Sequence, residues 1–213
     1  MARTALVAGS TGLIGSQLVD LLLADGYYNK VIALSRKSLP VSHTRLQNVL
    51  VDIHSLDKLS TLKADDVFCC LGTTMKQAGS KEAFKRVDYE YPLQLAKSLK
   101  STGAKKFLLV SALGADKSSR IFYNKVKGIV EEGIGNLAYD SYHIFRPSLL
   151  IGPRKEARAG EDAAKIFYSF FGFLIPKKYK GIESAKVARA MMTEAKSDKV
   201  GLQIYESVAL QEY

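Results

Sequence analysis

The chain has 213 residues and a formal net charge of +10; 47% of the residues are hydrophobic and 24% are charged. This composition is typical of soluble globular proteins, and the chain is long enough to bury a core without disulfides or metal. The positive charges are spread from Arg3 to Lys199, without an arginine-rich tract. We therefore expect no nucleic-acid binding, although an anionic small molecule remains a plausible partner.

Three features of the sequence bear on the cellular compartment of the protein. Cys69 and Cys70 are adjacent in an apolar run, which favours reduced, buried thiols. Residues 1–4 lack the zones of a signal peptide, and the apolar stretch 166–175 is shorter than the roughly 20 residues of a membrane-spanning helix. We expect a cytoplasmic protein without stable membrane insertion.

The predicted elements alternate between strands and helices along the chain. Because the strands are continuous apolar runs, we expect them to be buried on both faces of a parallel sheet. The fold class is therefore α/β, a Rossmann-type doubly wound parallel sheet in one domain, with a cofactor-binding core (1–153) and a small substrate-facing elaboration (154–213). The predicted strands are 4–8, 31–34, 49–51, 67–71, 107–110, 142–146 and 202–205, and the predicted helices are 13–24, 80–99, 118–133, 162–174 and 182–195.

A glycine-rich turn joins the first strand to the first helix. Glycine permits a tight turn, lets the backbone approach a pyrophosphate at the helix N-terminus, and allows close packing of helix on strand. Three glycines alone are weak evidence, but in the first turn of a βαβ unit they predict dinucleotide binding. The turn is Gly9, Ser10, Thr11, Gly12, Leu13, Ile14 and Gly15.

The end of the second strand indicates which dinucleotide binds. An acidic residue there would favour NAD(H), but this strand ends in Ser35, Arg36 and Lys37. The guanidinium can bind the 2′-phosphate of NADP(H), although an exposed strand-end cation would look the same. Asp52 could accept a hydrogen bond from the adenine amino group, or simply lie in a turn.

Tyr123 and Lys127 are four residues apart on a predicted helix and share one face. A phenol is a weak acid at neutral pH, but a neighbouring ammonium and an oxidised nicotinamide both favour phenolate. Such a tyrosine could exchange a proton with a carbonyl or alcohol during hydride transfer. Ser111, at the end of the fifth strand, could hydrogen-bond the same substrate oxygen, so these three residues are the candidate catalytic group.

These motifs, together with the stretches 69–74, 105–111 and 145–153, resemble the atypical short-chain dehydrogenases/reductases, and most closely the Tat-interacting-protein-like oxidoreductases. The resemblance implies an NADP(H)-dependent oxidoreductase. It also implies that Leu71, Gly72 and Thr73 line the ribose and pyrophosphate side of the cofactor. Tyr123 and Lys127 would hold the nicotinamide ribose, and the stretch from Pro147 through Leu149 to Leu150 would meet the carboxamide.

Two departures from the family pattern keep an alternative open. Asp88 stands where an asparagine is common, and Ala112 follows Ser111 where a second serine is common. The alternative is a non-catalytic NADP(H)-binding regulator or scaffold in which Tyr123 and Lys127 only bind the cofactor.

The sequence also bears on metal binding and on further partners. The histidines show no metal-ligand spacing, so no metal site is expected. The aromatic run 165–176 could wall a pocket for a carbonyl or alcohol substrate, form a dimer face, lie on a membrane surface or pack in the core. A homodimer or a protein partner therefore stays open.

Overall fold

The computed structural model describes residues 3–51, 59, 61–152 and 176–213. Seven parallel strands form one sheet in the order β3-β2-β1-β4-β5-β6-β9, and β7 and β8 form a separate parallel pair. The strands are β1 Thr4–Ala8, β2 Lys30–Ser35, β3 Leu46–Leu50, β4 Asp66–Cys69, β5 Lys106–Val110, β6 Ser141–Arg146, β7 Leu150–Ile151, β8 Ile182–Glu183 and β9 Gly201–Glu206.

Helices connect the strands and cover both faces of the sheet. They are α1 Leu13–Asp25, α2 Met75–Ala78, α3 Lys81–Lys85, α4 Tyr91–Ser101, α5 Phe122–Gly135, α6 Ser184–Ala195 and α7 Ser207–Leu210. One π-helical turn, Arg86–Glu90, joins α3 to α4. A 3-10 turn covers Lys177–Tyr179.

Each face of the sheet carries its own apolar core. Residues of α1 and α6, such as Leu18 and Met191, pack with Val7 on one face, whereas Leu99 of α4 and Ile134 of α5 pack on the other. Burying each large side chain contributes about 1.5–3 kcal/mol, which accounts for apolar residues at most positions of the central strands. The prediction of a doubly wound parallel sheet is confirmed.

The helices predicted for 80–99 and 118–133 have different bounds in the structure. The helix predicted from Ser118 begins at Phe122, because the Asp116 carboxylate accepts hydrogen bonds from the Ser118 N–H (2.8 Å) and hydroxyl (2.7 Å). Short polar side chains that bond nearby backbone in this way favour turns over helix. The helix predicted for 80–99 is interrupted by the π-helical turn, which turns Asp88 into the interior.

The last part of the chain returns to the main sheet. β9 pairs with β6 at the sheet edge, and α6 packs beside α1. The helix predicted from 182 begins at Ser184, because Ile182 and Glu183 pair instead with Leu150 and Ile151. The predicted helix 162–174 lies outside the described residues. Within the described ranges, no helix has both the length and the apolar character needed to cross a membrane.

Candidate functional site

The predicted site residues gather at the carboxyl ends of the parallel strands. The strand order reverses between β1 and β4, which are neighbours in the sheet. The chain leaves β1 towards α1 on one face and leaves β4 towards helices on the other, which opens a crevice between the two loops. Such a reversal point is where open α/β sheets bind ligands.

The loop after β1 is held closely against its neighbours. Gly9 has φ +78°, and a Cβ there would lie 2.7 Å from the carbonyl oxygen of Cys70. The Gly9 N–H donates to the Leu34 carbonyl (3.2 Å), and the buried Ser10 hydroxyl donates to the same oxygen (3.3 Å). Only glycine combines this backbone conformation with this approach to β4. The loop is thereby held in place between β2 and β4.

The start of α1 lies directly on this loop. A Cβ on Gly15 would be 2.2 Å from the Gly9 carbonyl oxygen, so helix and loop are in backbone contact. Gly12 precedes α1 with extended backbone; no side chain caps the helix, and the first turn has no acidic residue. Uncapped N–H groups at a helix N-terminus carry partial positive charge and favour a bound phosphate.

The end of β2 lies beside the same crevice. The Ser35 hydroxyl donates to the Lys37 carbonyl (2.5 Å), which stabilises a turn after the strand. Arg36 is exposed and forms neither a hydrogen bond nor an ion pair with any residue that the structure describes. Its guanidinium is therefore available to an anion. Asp52, the predicted adenine contact, falls outside the described residues.

Tyr123 and Lys127 lie on the face of α5 that meets the π-helical turn. The half-buried Tyr123 ring packs against Phe84 of α3, with 5.5 Å between ring centroids. Lys127 is buried, and its Nζ lies 2.7 Å from Asp88 Oδ1. The other carboxylate oxygen, Asp88 Oδ2, accepts a hydrogen bond from the Thr73 N–H (2.9 Å).

The charge of Lys127 is set by these neighbours. Burial acts to lower the pKa of Lys127, but attraction to Asp88 and Tyr123 and the hydrogen bond to Asp88 outweigh burial and raise it. The lysine therefore stays an ammonium ion at neutral pH. A Cβ on Gly72 would lie 3.5 Å from Asp88 Oδ1 and 3.7 Å from Lys127 Nζ, which places the loop after β4 beside this ion pair.

Ser111 follows β5 and is fixed through its backbone, since its N–H donates to the Phe145 carbonyl (2.7 Å). Its buried hydroxyl donates to the carboxylate of Glu131 on α5. Arg146 binds that carboxylate through two nitrogens, at 3.0 and 2.6 Å. In this arrangement the Ser111 proton faces Glu131, and the catalytic role of Ser111 stays a prediction.

Glu131 is a residue of the site that was not predicted from the sequence. A signal for it was present, because residues 123, 127 and 131 are spaced by four and share one face of α5. Glu131 is buried behind the candidate site, where it links Ser111 to Arg146. It is therefore the long-range partner that fixes the orientation of the Ser111 side chain.

The segment after β6 leaves the sheet at the same carboxyl edge as the glycine loop. The Pro147 carbonyl accepts from the Leu113 N–H (2.9 Å), and the Leu149 carbonyl accepts from the Ile182 N–H (2.9 Å). Leu149 has an exposed side chain, and Leu150 enters β7. The predicted contact of this segment with a nicotinamide carboxamide stays a prediction.

The two cysteines belong to the core behind the site. Cys69 is fully buried, and burial raises the pKa of its thiol to about 12. Burial also raises the pKa of Cys70 well above its ordinary value. Both side chains are therefore protonated thiols at neutral pH, which does not favour a nucleophilic or redox role.

Comparison with known proteins identifies relatives that match most or nearly all of the chain. Protein HTATIP2 of Rattus norvegicus is 35% identical over 216 residues, covering 98% of this chain and 88% of that protein. The mitochondrial protein FMP52 of Eremothecium gossypii is 32% identical over 214 residues, covering 97% and 95%. The mitochondrial protein fmp52 of Emericella nidulans is 33% identical over 180 residues, covering 81% and 77%.

The names of the fungal relatives contradict one expectation from the sequence. A cytoplasmic protein was expected because the cysteines look reduced and residues 1–4 do not resemble a signal peptide, whereas these relatives are named as mitochondrial proteins. The expectation was wrong because both features argue only against secretion. The absence of secretory features does not distinguish the cytoplasm from an organelle.

Solved structures agree on the fold. MoeE5 in complex with UDP-glucose and NAD superposes with a TM-score of 0.73 at 18% identity, covering 95% of this chain and 76% of that one. The Bordetella bronchiseptica enzyme WbmH in complex with NAD+ gives a TM-score of 0.74 at 17% identity, covering 100% and 79%.

One family model matches the chain from residue 5 to residue 170, a span that begins in β1 and includes the glycine loop, Tyr123 and Lys127. Its description is NAD dependent epimerase/dehydratase family. The match supports binding of a nicotinamide dinucleotide. Together with the whole-chain relatives, it shows that the chain belongs to the NAD dependent epimerase/dehydratase family.

Proposed function

We propose that the protein is an NADP(H)-dependent oxidoreductase of the short-chain dehydrogenase/reductase type that reduces a small carbonyl substrate. One observation carries the proposal. Tyr123 and the buried ammonium of Lys127 lie on one face of α5, beside the loop after β4 that also contacts Gly9. A proton donor and a candidate phosphate loop are thus built at the same edge of the sheet.

The chain fits a dinucleotide at this edge. Backbone already fills the space that a Cβ on Gly9 or Gly15 would need, so the loop packs closely against the start of α1. The uncapped N–H groups at this helix start would hold the diphosphate. Arg36 would bind the 2′-phosphate, because its guanidinium is exposed and unpaired among the described residues. When bound, the reduced nicotinamide supplies a hydride to the substrate carbon.

The residues of the chain would then handle the proton. Tyr123 donates its hydroxyl proton to the carbonyl oxygen as that oxygen gains negative charge, and Lys127 stabilises the phenolate that remains. A proton from solvent restores the phenol. Ser111 would donate a hydrogen bond to the same oxygen, for which its hydroxyl must exchange Glu131 for the substrate.

The engagement of Ser111 with Glu131 favours a second candidate function. If the hydroxyl stays on the carboxylate, the site binds NADP(H) without assisting chemistry, as in a regulator or scaffold whose surface responds to the cofactor. Capture of a protein partner that requires NADPH, with no turnover of any carbonyl compound, would support this function over the first.

The experiment is NADPH oxidation against a panel of carbonyl compounds, with the wild type and Tyr123→Phe compared. The variant should lose about 100-fold or more in kcat, a usual magnitude for general acid catalysis, and should bind NADPH within about threefold of the wild type by calorimetry. Tyr27→Phe is the matched control, since Tyr27 precedes β2 at the opposite edge of the sheet. Equal turnover by all three proteins would refute the role of Tyr123.

A further inference from the structure

Asp88 is a buried carboxylate that the proposed proton transfer does not use. The π-helical turn places it between two elements of the site, the loop after β4 and helix α5. Each of its oxygens has its own partner: Lys127 Nζ lies 2.7 Å from Oδ1, and the Thr73 N–H donates to Oδ2 at 2.9 Å.

Both partners of Asp88 are hydrogen-bond donors. An ionised carboxylate offers an acceptor oxygen to each of them, whereas an asparagine offers one acceptor and one donor. An asparagine here would turn its NH2 group towards either the ammonium or the Thr73 N–H, and that contact would be lost. The surroundings therefore select aspartate over asparagine, and Asp88 does not act as a substitute for the asparagine common at this position.

We propose that Asp88 is a positioning residue that fixes the Lys127 ammonium relative to the loop 71–73. This loop and helix α5 therefore already have their binding arrangement before a nucleotide binds. The proposal rests on the proposed function, because Lys127 matters only if the site holds a nicotinamide nucleotide. It extends that function because it gives the Asp88 carboxylate a role in binding the nucleotide.

The charge state of Lys127 gives this role a signature that simple packing would lack. The ammonium is influenced electrostatically by Asp88 of the π-helical turn, Tyr123 of α5 and Cys69 of β4. Without the Asp88 carboxylate, burial would no longer be outweighed, and the pKa of Lys127 would fall. Binding that needs the ammonium would then weaken at a lower pH than in the wild type.

The test is the affinity for NADPH of the wild type and Asp88→Asn, measured by calorimetry at several pH values between neutrality and about pH 10. Loss of one charge-assisted hydrogen bond should weaken binding about tenfold at neutral pH, and the further decline at high pH should begin earlier in the variant. Asp140→Asn is the control, since Asp140 is exposed and pairs with Lys100 at 3.4 Å. It should follow the wild type throughout.

Asp88→Glu keeps the charge on a longer arm, so it should bind more weakly than the wild type while keeping the wild-type pH profile. An Asp88→Asn protein that binds less tightly with an unchanged pH profile would overturn the proposal, because a purely structural role predicts that result. Unchanged affinity would overturn it as well.

A second measurement, made on the wild type, tests the proposal even if the Asp88 variants do not fold. The Lys127 side-chain ¹⁵N signal of the wild type, assigned by its loss in Lys127→Arg, should titrate above the ordinary lysine pKa of about 10.4. Titration below that ordinary value would overturn the proposal. If the wild type binds no nucleotide, the proposed function fails, while this titration still reports on the ion pair alone.

Discussion

Replacement of Gly15 by alanine tests the contact on which the whole site is built. The new Cβ would lie 2.2 Å from the Gly9 carbonyl oxygen, 2.9 Å from the Gly9 carbonyl carbon and 3.1 Å from Ser10 Cα. All three atoms belong to backbone and cannot rotate away. Helix α1 would have to shift by roughly 1 Å to restore a normal contact in a close-packed interior.

The expected change in the free energy of unfolding is the difference between two effects. Alanine is favoured over glycine inside a helix by up to about 1 kcal/mol, whereas overpacking costs about 1–3 kcal/mol and occasionally more. Because the clash at Gly15 involves only backbone, we expect the high end of that range and a net destabilisation of about 2–3 kcal/mol. NADPH affinity should fall as well, since the shift moves the N–H groups at the start of α1.

Gly133→Ala in α5 is the matched control. Its Cβ would lie 3.4 and 3.7 Å from the Leu93 methyl groups, which are ordinary contacts with a flexible side chain. It should leave stability unchanged or raise it by up to about 1 kcal/mol. Denaturant unfolding followed by far-UV circular dichroism gives both values. If Gly15→Ala is as stable as Gly133→Ala and binds NADPH as tightly, helix and loop do not touch as described.

Three further predictions concern charge. Arg36→Asp should weaken NADPH binding about tenfold or more while sparing NADH, as a charge-assisted contact is lost and a like charge introduced; unchanged preference by calorimetry would refute the role of Arg36. Burial lowers the pKa of His143 to about 4, so the unfolded chain binds the extra proton first. Stability should fall by about 2–3 kcal/mol from pH 6.5 to 4.5; an equal fall in His143→Gln would contradict this. Glu131→Gln should cost about 3 kcal/mol in denaturant unfolding because it leaves Arg146 without its buried partner, whereas Glu206→Gln, at the half-exposed partner of the same arginine, should cost under about 1 kcal/mol; equal costs would contradict the difference.

The sequence predicted the elements whose determinants are local. The first βαβ unit was found because its strands are apolar, its turn is glycine-rich and Gly26, at φ +80°, ends α1. The strands 107–110 and 142–146 were each one residue short, since buried Lys106 and Ser141 look polar in the sequence. Lys106 is tolerated inside because its Nζ donates to the Ala195 and Ser197 carbonyls, at 2.6 and 2.7 Å.

The parts that could not be predicted depend on contacts between distant segments. The pairing of β7 with β8 joins residues about thirty positions apart and has no local signal. The Glu131–Arg146 ion pair depends on how α5 packs against β6. Asp88 was noted only as a departure from the family pattern, because its contact with Lys127 requires the π-helical turn to be known.

The most direct test of the account is calorimetric titration of the purified wild-type protein with NADPH and with NADH under identical conditions. In the proposed function, the glycine loop at residues 9–15 binds the diphosphate and Arg36 recognises the additional phosphate. Both nucleotides should therefore bind saturably, with NADPH bound about tenfold more tightly or better. Absence of saturable heat with either nucleotide would contradict it.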